Sequence, residues 1–342
     1  MQESIKNFEF KAQVDNHDEI RKKLDQLAPK YIGEDRQCDT YIATNDGRLK
    51  IRKGPIENTL IFYKRENTKK AKESLIYLEK ISADSNIKNL LERSHGILVE
   101  VTKKREIYFK NNVKIHIDTV DHLGTFFEVE AIDEKNEFSL QELKEQCDYY
   151  KDYFDIHDRQ IMSMSYSDMI LDSIKKSFYQ EASSFLEKAI DKFEQQEISS
   201  ANSTPDHICY RVKDMKVYLS WKAKLKTWGQ LISEELISGR EISTFVLDTD
   251  FCYGEHRVNV LELPAPKAGK VFEEGFEHAE FVTDTSLEDF IKENQHEFDT
   301  SGIDKKHTSE IKLSFGSDFC IKFHEKPLID MIKEEFLSKI HK

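Results

Sequence analysis

The sequence has no hydrophobic run long enough for a membrane span and no excess of positive charge. Apolar runs such as Leu60-Ile61-Phe62-Tyr63 are far shorter than the roughly 18 residues needed to cross a bilayer. Lys and Arg number 51 against 64 Asp and Glu, a formal net charge of −13. This balance disfavours nucleic-acid partners, because duplex binding depends on neutralising phosphates. The first residues also lack a basic segment followed by an apolar one, so no secretory signal is expected. We therefore expect a soluble, cytoplasmic protein that binds neither membranes nor nucleic acids.

Paired cysteines are missing as well. The five Cys residues are odd in number, widely spaced and without a CxxC pair, which disfavours both a disulfide framework and a Cys-based zinc site. Apolar residues, in contrast, make up 38% of the chain, enough to fill packed cores. At roughly 100–200 residues per domain, the 342 residues predict two domains.

The boundary between the two domains is indicated by a change of composition. Residues 195–205 are polar and rich in Ser, and they predict a loop that is closed by Pro205, inside or just ahead of the second domain. Residues 174–193 carry Ile174, Phe178 and Phe185 at helical spacings, which predicts a helix that either links the halves or opens the second one. We therefore place the domains at 1–171 and 172–342.

Five short segments of the first domain alternate between charged and apolar residues. A period of two places successive side chains on opposite faces of a strand, so each segment would have one charged face. These faces would carry Glu9 with Lys11, Arg48 with Lys50 and Arg52, Lys103 with Arg105, Lys114 with His116 and Asp118, and Glu128 with Glu130.

These charged faces have two interpretations. On most antiparallel sheets such a face is turned to water. If the five faces instead converge inside a closed sheet, the interior holds many cations and a few carboxylates, an arrangement too costly in desolvation to persist without a ligand or metal. A triphosphate fits it, because Lys and Arg bind phosphate oxygens while carboxylates hold Mg²⁺ or Mn²⁺.

Several motifs of the first half also resemble those of a known family. They include Asn7-Phe8-Glu9-Phe10-Lys11-Ala12, Gly47-Arg48-Leu49-Lys50-Ile51-Arg52, His116-Ile117-Asp118-Thr119-Val120 and Phe126-Phe127-Glu128-Val129-Glu130. Across roughly residues 4–171 the chain resembles the CYTH superfamily. That superfamily comprises class IV adenylyl cyclases and thiamine- or inorganic-triphosphatases on an antiparallel triphosphate-tunnel barrel. The run from His116 to Glu130 is more similar to the cyclase-like branch.

The resemblance implies roles for individual residues. Glu9, Glu128 and Glu130, with Asp118 as a fourth, would hold Mg²⁺ or Mn²⁺. The residues implied to line the phosphate path and act in catalysis are Lys11, Arg48, Lys50, Arg52, Arg65, Lys103, Arg105 and Lys114. The family signature often reads ExExK, whereas this chain has Asn7 at the first position, so one metal contact would be neutral or missing.

Three functions of the first domain remain open on the sequence. As a class IV adenylyl cyclase-like enzyme it would convert ATP to cyclic AMP and pyrophosphate. As a triphosphatase it would hydrolyse thiamine triphosphate or tripolyphosphate, and as a non-catalytic sensor it would only bind a triphosphate. The oligomeric state, with a homodimer among the alternatives, also stays open.

The second domain shows a β-α-β-β-β rhythm that occurs twice. His207 opens the first strand of one repeat, His278 opens the first strand of the other, and Glu262 ends the last strand of the first repeat. Paired repeats that offer His and Glu from matching strands would build a site for a divalent transition metal. A single His on a strand is more often an ordinary half-buried residue, so the symmetry carries this hypothesis.

Residues 174–335 resemble YecM-type proteins of the vicinal-oxygen-chelate (glyoxalase-like) superfamily. Segments such as Asp206-His207-Ile208, Leu261-Glu262-Leu263-Pro264 and Ile321-Lys322-Phe323-His324 carry the resemblance. It implies metal ligands at His207, Glu262 and His278, while the fourth place falls near Lys322, so His324 on the same strand face is expected to replace it. The ligand would be a small molecule of unidentified class. The predicted fold is therefore α+β, an antiparallel triphosphate-tunnel β-barrel with flanking helices followed by a paired βαβββ domain.

Overall fold

The structure, a computed structural model, describes residues 6–64, 75–196, 198, 203–237, 239–294, 296–304, 309–316 and 319–340. The chain divides into two compact units, a first unit of residues 1–174 and a second unit of residues 175–342. Arg65, one of the predicted phosphate-binding residues, lies outside the described residues.

The first unit contains eight strands in one sheet. They are β1 (Lys6–Gln13), β2 (Lys30–Ile42), β3 (Arg48–Lys53), β4 (Asn58–Lys64), β5 (Leu75–Lys80), β6 (Ile97–Lys110), β7 (Val113–Val120) and β8 (Gly124–Asp133). Their order is β1-β8-β7-β6-β2-β3-β4-β5, and every neighbouring pair is antiparallel. In the described part of the sheet, β1 and β5 form its two ends.

Two helices, α1 (Asp18–Leu27) and α3 (Leu140–Tyr153), cover the apolar side of this sheet. The unit also contains α2 (Ile87–His95) and a short 3-10 helix at Asp158–Gln160. Helix α3 begins at a capping box, in which the Ser139 side chain accepts from the Glu142 amide and Glu142 accepts from the Ser139 amide. Such a reciprocal pair satisfies two amides that the first turn leaves unpaired.

The core of the first unit explains which way the strands face. Ile20 of α1 and Leu143 of α3 belong to one buried cluster with Phe10, Ile115 and Val129 of the sheet. These apolar strand residues alternate with the charged ones, so burying them under the helices turns the charged residues to the opposite side of the sheet.

Helix α4 (Tyr166–Glu194) begins in the first unit and continues in the second. It starts eight residues earlier than the predicted helix at 174. The Ser165 side chain accepts from the Asp168 amide, and Asp168 accepts from the Ser165 amide. This local pairing at the helix start was not recognised as a capping signal in the sequence.

The second unit contains a seven-stranded mixed sheet with three further helices. The strands are β9 (Ser203–Arg211), β10 (Gly229–Ile237), β11 (Arg240–Tyr253), β12 (His256–Pro264), β13 (Gly275–Thr283), β14 (Ile311–Ser314) and β15 (Cys320–His324), and the helices are α5 (Met215–Leu225), α6 (Leu287–Asn294) and α7 (Leu328–Ile340). The order is β10-β11-β12-β9-β13-β15-β14. The β12–β9 and β13–β15 pairs are parallel.

The two halves of this sheet are not equal. The first half has the expected order of strand, helix and three strands, β9-α5-β10-β11-β12. The second half, β13-α6-β14-β15, shows one named strand fewer in the part that the structure describes. In this second half, an isolated antiparallel bridge joins Asp299 to Lys312 of β14. The predicted repetition is therefore seen only in part.

Two predictions about individual residues of the second unit were wrong. Pro205 does not close a loop but lies inside β9, opposite Phe281, at a shift of register between Glu280 and Phe281. A proline is tolerated in a strand at such an irregularity because no regular ladder bond is lost. The helical spacing of Trp221, Leu225 and Trp228 predicts a helix closed by Gly229. Helix α5 instead ends at Leu225, with Lys226 as its C-cap, and Gly229 opens β10.

Candidate functional site

The charged faces of the first unit converge on one cavity of about 940 Å³. Residues from all eight strands line it. The predicted site residues among them are Glu9, Lys11, Lys50, Arg52, Lys103, Arg105, Lys114, Glu128 and Glu130. Several of the cations are buried, with Lys103 only 3% exposed and Arg105 4%. The interpretation that these faces point to water is therefore wrong for this sheet.

The cavity contains more carboxylates than the sequence predicted, and each of the six lining cations named above has one as a partner. Asp39 of β2 forms ion pairs with three of these cations. Its oxygens lie 2.8 Å from Arg52 Nε, 3.1 Å from Lys50 Nζ and 3.3 Å from Lys103 Nζ. Burial opposes ionisation of Asp39, but the charges of Arg52, Lys103 and Lys50 outweigh it and hold its pKa well below the usual range.

Glu57, which follows the β3–β4 turn, is the second carboxylate that the sequence analysis missed. Its Oε2 accepts from Arg52 at 2.7 Å and its Oε1 accepts from Lys114 at 2.9 Å. Burial opposes ionisation here too, and Arg52 and Lys114 lower the pKa of Glu57.

Asp118 differs from its predicted role as a metal ligand. It is fully buried, and it accepts from Arg105 Nε at 2.7 Å and from the Tyr166 hydroxyl at 2.9 Å. It is not among the residues that line the cavity. These contacts make Asp118 an orienting partner of Arg105, whose other carboxylate contact is Glu128 at 2.6 Å.

Arg48 also lies apart from the cavity lining. Its guanidinium donates to both carboxylate oxygens of Asp168 on α4, at 3.0 and 2.8 Å. The strand alternation predicted that it shares a face with Lys50 and Arg52, but its position near one end of β3 places it beside α4.

Three glutamates form an acidic cluster at one side of the cavity. Glu9 of β1 stands directly opposite Glu130 of β8, and Lys11 stands opposite Glu128. Burial, followed by the charge of Glu9, raises the pKa of Glu130. Asn7 donates its side-chain amide to Glu130 Oε1 at 2.8 Å. A divalent cation would relieve this repulsion, and carboxylate oxygens are the ligands that Mg²⁺ and Mn²⁺ prefer.

His116 of β7 is a further buried residue of the cavity. It is 1% exposed, and neither ring nitrogen has a hydrogen-bond partner. Burial and then Arg105 lower its pKa to about 3, so the ring is neutral. The alternation of β7 placed it on the charged face, but nothing in the sequence marked it as an uncharged group.

A second cluster lies on one face of the sheet of the second unit, around Glu280. His278 Nε2 is 3.0 Å and His207 Nε2 is 3.5 Å from Glu280 Oε1, and His324 Nε2 is 3.9 Å from Oε2. Glu262 Oε2 is 3.8 Å from His207 Nε2. The structure thus brings the four predicted residues together around a fifth that the sequence analysis did not select.

The histidines of this cluster have unusual surroundings. The Nε2 atoms of His207, His278 and His324 are buried, and among the described residues none of their contacts, including those with Glu280, has hydrogen-bond geometry. Burial alone would lower the pKa of His207, but Glu280 and Asp206 outweigh it and raise it to about 10. Ligand atoms of His207, Glu262 and Glu280 lie within 4.8 Å of one another, as do those of Asp206, His207 and His324. Both sets have the donors of a transition-metal site.

Lys322 occupies the place where the resemblance implies a fourth ligand. Its Nζ lies 2.7 Å from Glu280 Oε1 and 3.4 Å from Glu310. Of the missed residues, Glu280 could have been found by strand alternation, because it follows His278 by two residues and therefore shares its face. Asp206 precedes His207 directly, so alternation alone would have placed it on the other face.

Comparisons with known proteins identify both halves. The model of the CYTH domain matches residues 6–154, and the model of the YecM protein matches residues 175–318. The chain is therefore a CYTH domain followed by a YecM domain, which confirms the resemblance predicted from the motifs.

Two curated relatives match short parts of the chain. An uncharacterized protein of Haemophilus influenzae is 32% identical over 77 residues, 22% of this chain and 40% of the relative. Protein YecM of Escherichia coli is 33% identical over 79 residues, 23% of this chain and 42% of the relative. The chain thus spans about two fifths of the length of these relatives.

Solved structures resemble part of the fold. A conserved hypothetical protein from Pyrococcus furiosus is 20% identical, with a TM-score of 0.41, and the match covers 47% of this chain and 98% of that one. A proposed adenylate cyclase from Vibrio parahaemolyticus is 19% identical, with a TM-score of 0.41, and the match covers 49% of this chain and 99% of that one. Among the described residues, no helix has the length and apolar composition that a membrane crossing requires.

Proposed function

We propose that the cavity of the first unit binds a nucleoside or other organic triphosphate together with Mg²⁺ or Mn²⁺, and that the protein is a class IV adenylyl cyclase-like enzyme. The observation that carries the proposal is the meeting of six cations with the facing pair Glu9 and Glu130 in one cavity. The CYTH match supports triphosphate chemistry in general. We also propose that the sheet closes as a triphosphate-tunnel barrel around this ligand.

The residues of the cavity would act by positioning and by charge. Lys11, Lys103 and Arg105 would bind phosphate oxygens, and Asp118 with Tyr166 would hold the Arg105 guanidinium in its orientation. Glu9, Glu128 and Glu130 would hold the metal ion, which would supply positive charge to offset the charge that develops on the phosphates. The attacking group would come from the ligand itself, the ribose 3′-hydroxyl, so no protein nucleophile is required.

Incubation of the purified protein with ATP and Mn²⁺ tests this function. Cyclic AMP with pyrophosphate supports the cyclase, whereas orthophosphate from ATP, thiamine triphosphate or tripolyphosphate supports a triphosphatase. We expect Glu128→Gln combined with Glu130→Gln to lower turnover at least about 100-fold, because the metal loses two ligands. The control Glu145→Gln changes an exposed residue of α3 and should keep normal turnover. Unchanged turnover in the double variant would refute the metal assignment, and no product from any of the three substrates would leave only the sensor.

For the second unit we propose a divalent transition-metal site that binds a small molecule, on a vicinal-oxygen-chelate-type pairing of its two halves. The observation that favours it is the set of three buried His Nε2 atoms without hydrogen-bond partners beside Glu262 and Glu280. Metal binding would compete with the proton on His207 and with Lys322 for Glu280. Metal analysis of the purified chain tests the site, and the absence of a bound divalent ion would count against His207, Glu262 and His278 as ligands.

A further inference from the structure

The turn between β3 and β4 is built to hold one side chain in the cavity of the first unit. The carboxylate of Asp35, which is fully buried, accepts from the amides of Ile56 and Glu57 at 3.1 Å each. Gly54 lies against the same carboxylate, and a Cβ at Gly54 would stand 2.7 Å from Asp35 Oδ1. The turn is therefore fixed to Asp35 of β2, and a side chain at residue 54 would require the Asp35 carboxylate to move.

The side chain that this turn presents is Glu57. Its carboxylate is bound by three residues from three strands: Arg52 NH1 at 2.7 Å, Gln37 Nε2 at 2.9 Å and Lys114 Nζ at 2.9 Å. Gln37 donates to Asp35 as well, at 2.9 Å. Gln37 thus ties Glu57 to the residue that fixes the turn.

Arg52 and Lys114 are two of the cations that line the cavity of the proposed triphosphate site. A carboxylate held between a guanidinium and an ammonium occupies the position that a phosphate oxygen would take. A phosphate group that reached this position would have to displace Glu57 or lie beside it, and two like charges in a partly buried site repel strongly. The cations Lys11, Lys103 and Arg105 have no contact with Glu57 among the described hydrogen bonds and ion pairs.

We propose that Glu57 is a specificity-determining residue that closes the anion subsite between Arg52 and Lys114 and so restricts how long a phosphate chain the cavity accepts. The inference rests on the proposed function, because it assumes that the cavity binds a polyphosphate. A short phosphate chain such as pyrophosphate binds at the other cations, so Glu57 has little effect on its affinity. A longer phosphate chain such as tripolyphosphate reaches Glu57 and binds more weakly than its charge would suggest.

Calorimetric titration of the full chain with tripolyphosphate and with pyrophosphate in Mg²⁺ buffer tests this role. In Glu57→Gln, we expect tripolyphosphate to bind about tenfold more tightly or better, as close charge pairs at interfaces allow, and pyrophosphate to change less than about threefold. Glu57→Asp keeps the charge, but its shorter side chain cannot span Arg52 and Lys114 together, so tripolyphosphate should again bind more tightly. Glu79→Gln removes the same charge from an exposed residue of β5 and should leave both affinities unchanged.

Several results would overturn the inference. Wild-type affinity for tripolyphosphate in both Glu57 variants would show that the subsite is not closed by this residue, while the proposed function would stand. Equal tightening for both ligands would indicate a general effect of charge instead of a limit on chain length. If folded wild-type protein and both variants bind neither ligand, the proposed function itself fails, and the role of Glu57 fails with it.

Discussion

Asn7 donates its side-chain amide to Glu130, which faces Glu9 across the β1–β8 pair. Asn7→Asp would remove this donor and add a fourth carboxylate to the acidic cluster. Leaving buried polar groups without partners costs roughly 1–3 kcal/mol, and about 2–4 °C of melting temperature per kcal/mol is typical of a unit of this size. We therefore expect a lower melting temperature in EDTA and a larger stabilisation by Mg²⁺ than in the wild type, measured by thermal shift.

The matched control for this prediction is Asn7→Ala. It loses the same hydrogen bond without adding a charge, so it should be destabilised in EDTA but gain no more from Mg²⁺ than the wild type does. Equal stabilisation by Mg²⁺ in Asn7→Asp and in the wild type would contradict a cation site at Glu9 and Glu130.

Single residues of the site differed in how well the sequence predicted them. Strand alternation was sufficient to predict that Lys103 and Arg105 share the charged face of β6, because the two residues are two positions apart. Asp39 was within reach of the same reasoning, since Asp35, Gln37, Asp39 and Tyr41 alternate along β2 and are all buried. Strand alternation could not predict Glu57 as a site residue, because Glu57 lies beyond a turn. Only the folded positions of Arg52 and Lys114 show that its charge faces the cavity.

Strand β10 can pair with β11 because Gly229 has no side chain. A Cβ at this position would lie 2.2 Å from the backbone oxygen of Val246 and 2.6 Å from the Cα of Leu247. We expect Gly229→Ala to reduce the free energy of unfolding of the second unit by about 1–3 kcal/mol, because the two strands must separate to make room. Urea unfolding followed by Trp fluorescence measures this, since the only two Trp residues, Trp221 and Trp228, belong to the second unit.

Gln230→Ala is the control for the same strand. Gln230 is exposed, and exposed substitutions away from special features usually change stability by no more than about 0.5 kcal/mol. A Gly229→Ala variant as stable as Gln230→Ala would mean that the β10–β11 pairing relaxes without cost and that Gly229 is not required there.

Elements were predicted best where local signals are strong. Helices α1 and α2 and the alternating strands of the first unit follow the sequence pattern closely, because Pro29 and Gly96 mark helix ends and apolar residues mark one face. The prediction of a loop at Pro205 was wrong, although a proline usually marks a loop. The register shift that allows Pro205 within β9 depends on the pairing of β9 with β13. Among the described residues the second half has one named strand fewer than the first, and no local pattern of the sequence signals this difference.

At the scale of the whole molecule, the two units offer metal ions different donors. The cluster of the first unit has only carboxylate oxygens, from Glu9, Glu128 and Glu130, which favour Mg²⁺ or Mn²⁺. The cluster of the second unit combines imidazole nitrogens with carboxylates, a set that favours transition metals. Since the two sets share no residue and lie in different units, one chain would hold two kinds of ion.

Metal analysis of the full chain after dialysis against a mixture of Mg²⁺ and a transition metal such as Zn²⁺ tests this division. His207→Ala combined with His324→Ala should remove the tightly held transition metal, because two nitrogen donors are lost, while the stabilisation by Mg²⁺ persists. Glu9→Gln combined with Glu130→Gln should remove the stabilisation by Mg²⁺, while the transition metal stays bound. His256→Ala, a half-buried His of β12 outside the cluster, should leave both responses unchanged. Wild-type transition-metal content in the His207 and His324 variant would refute the second site, because a site that survives the loss of both donors must be built from other residues.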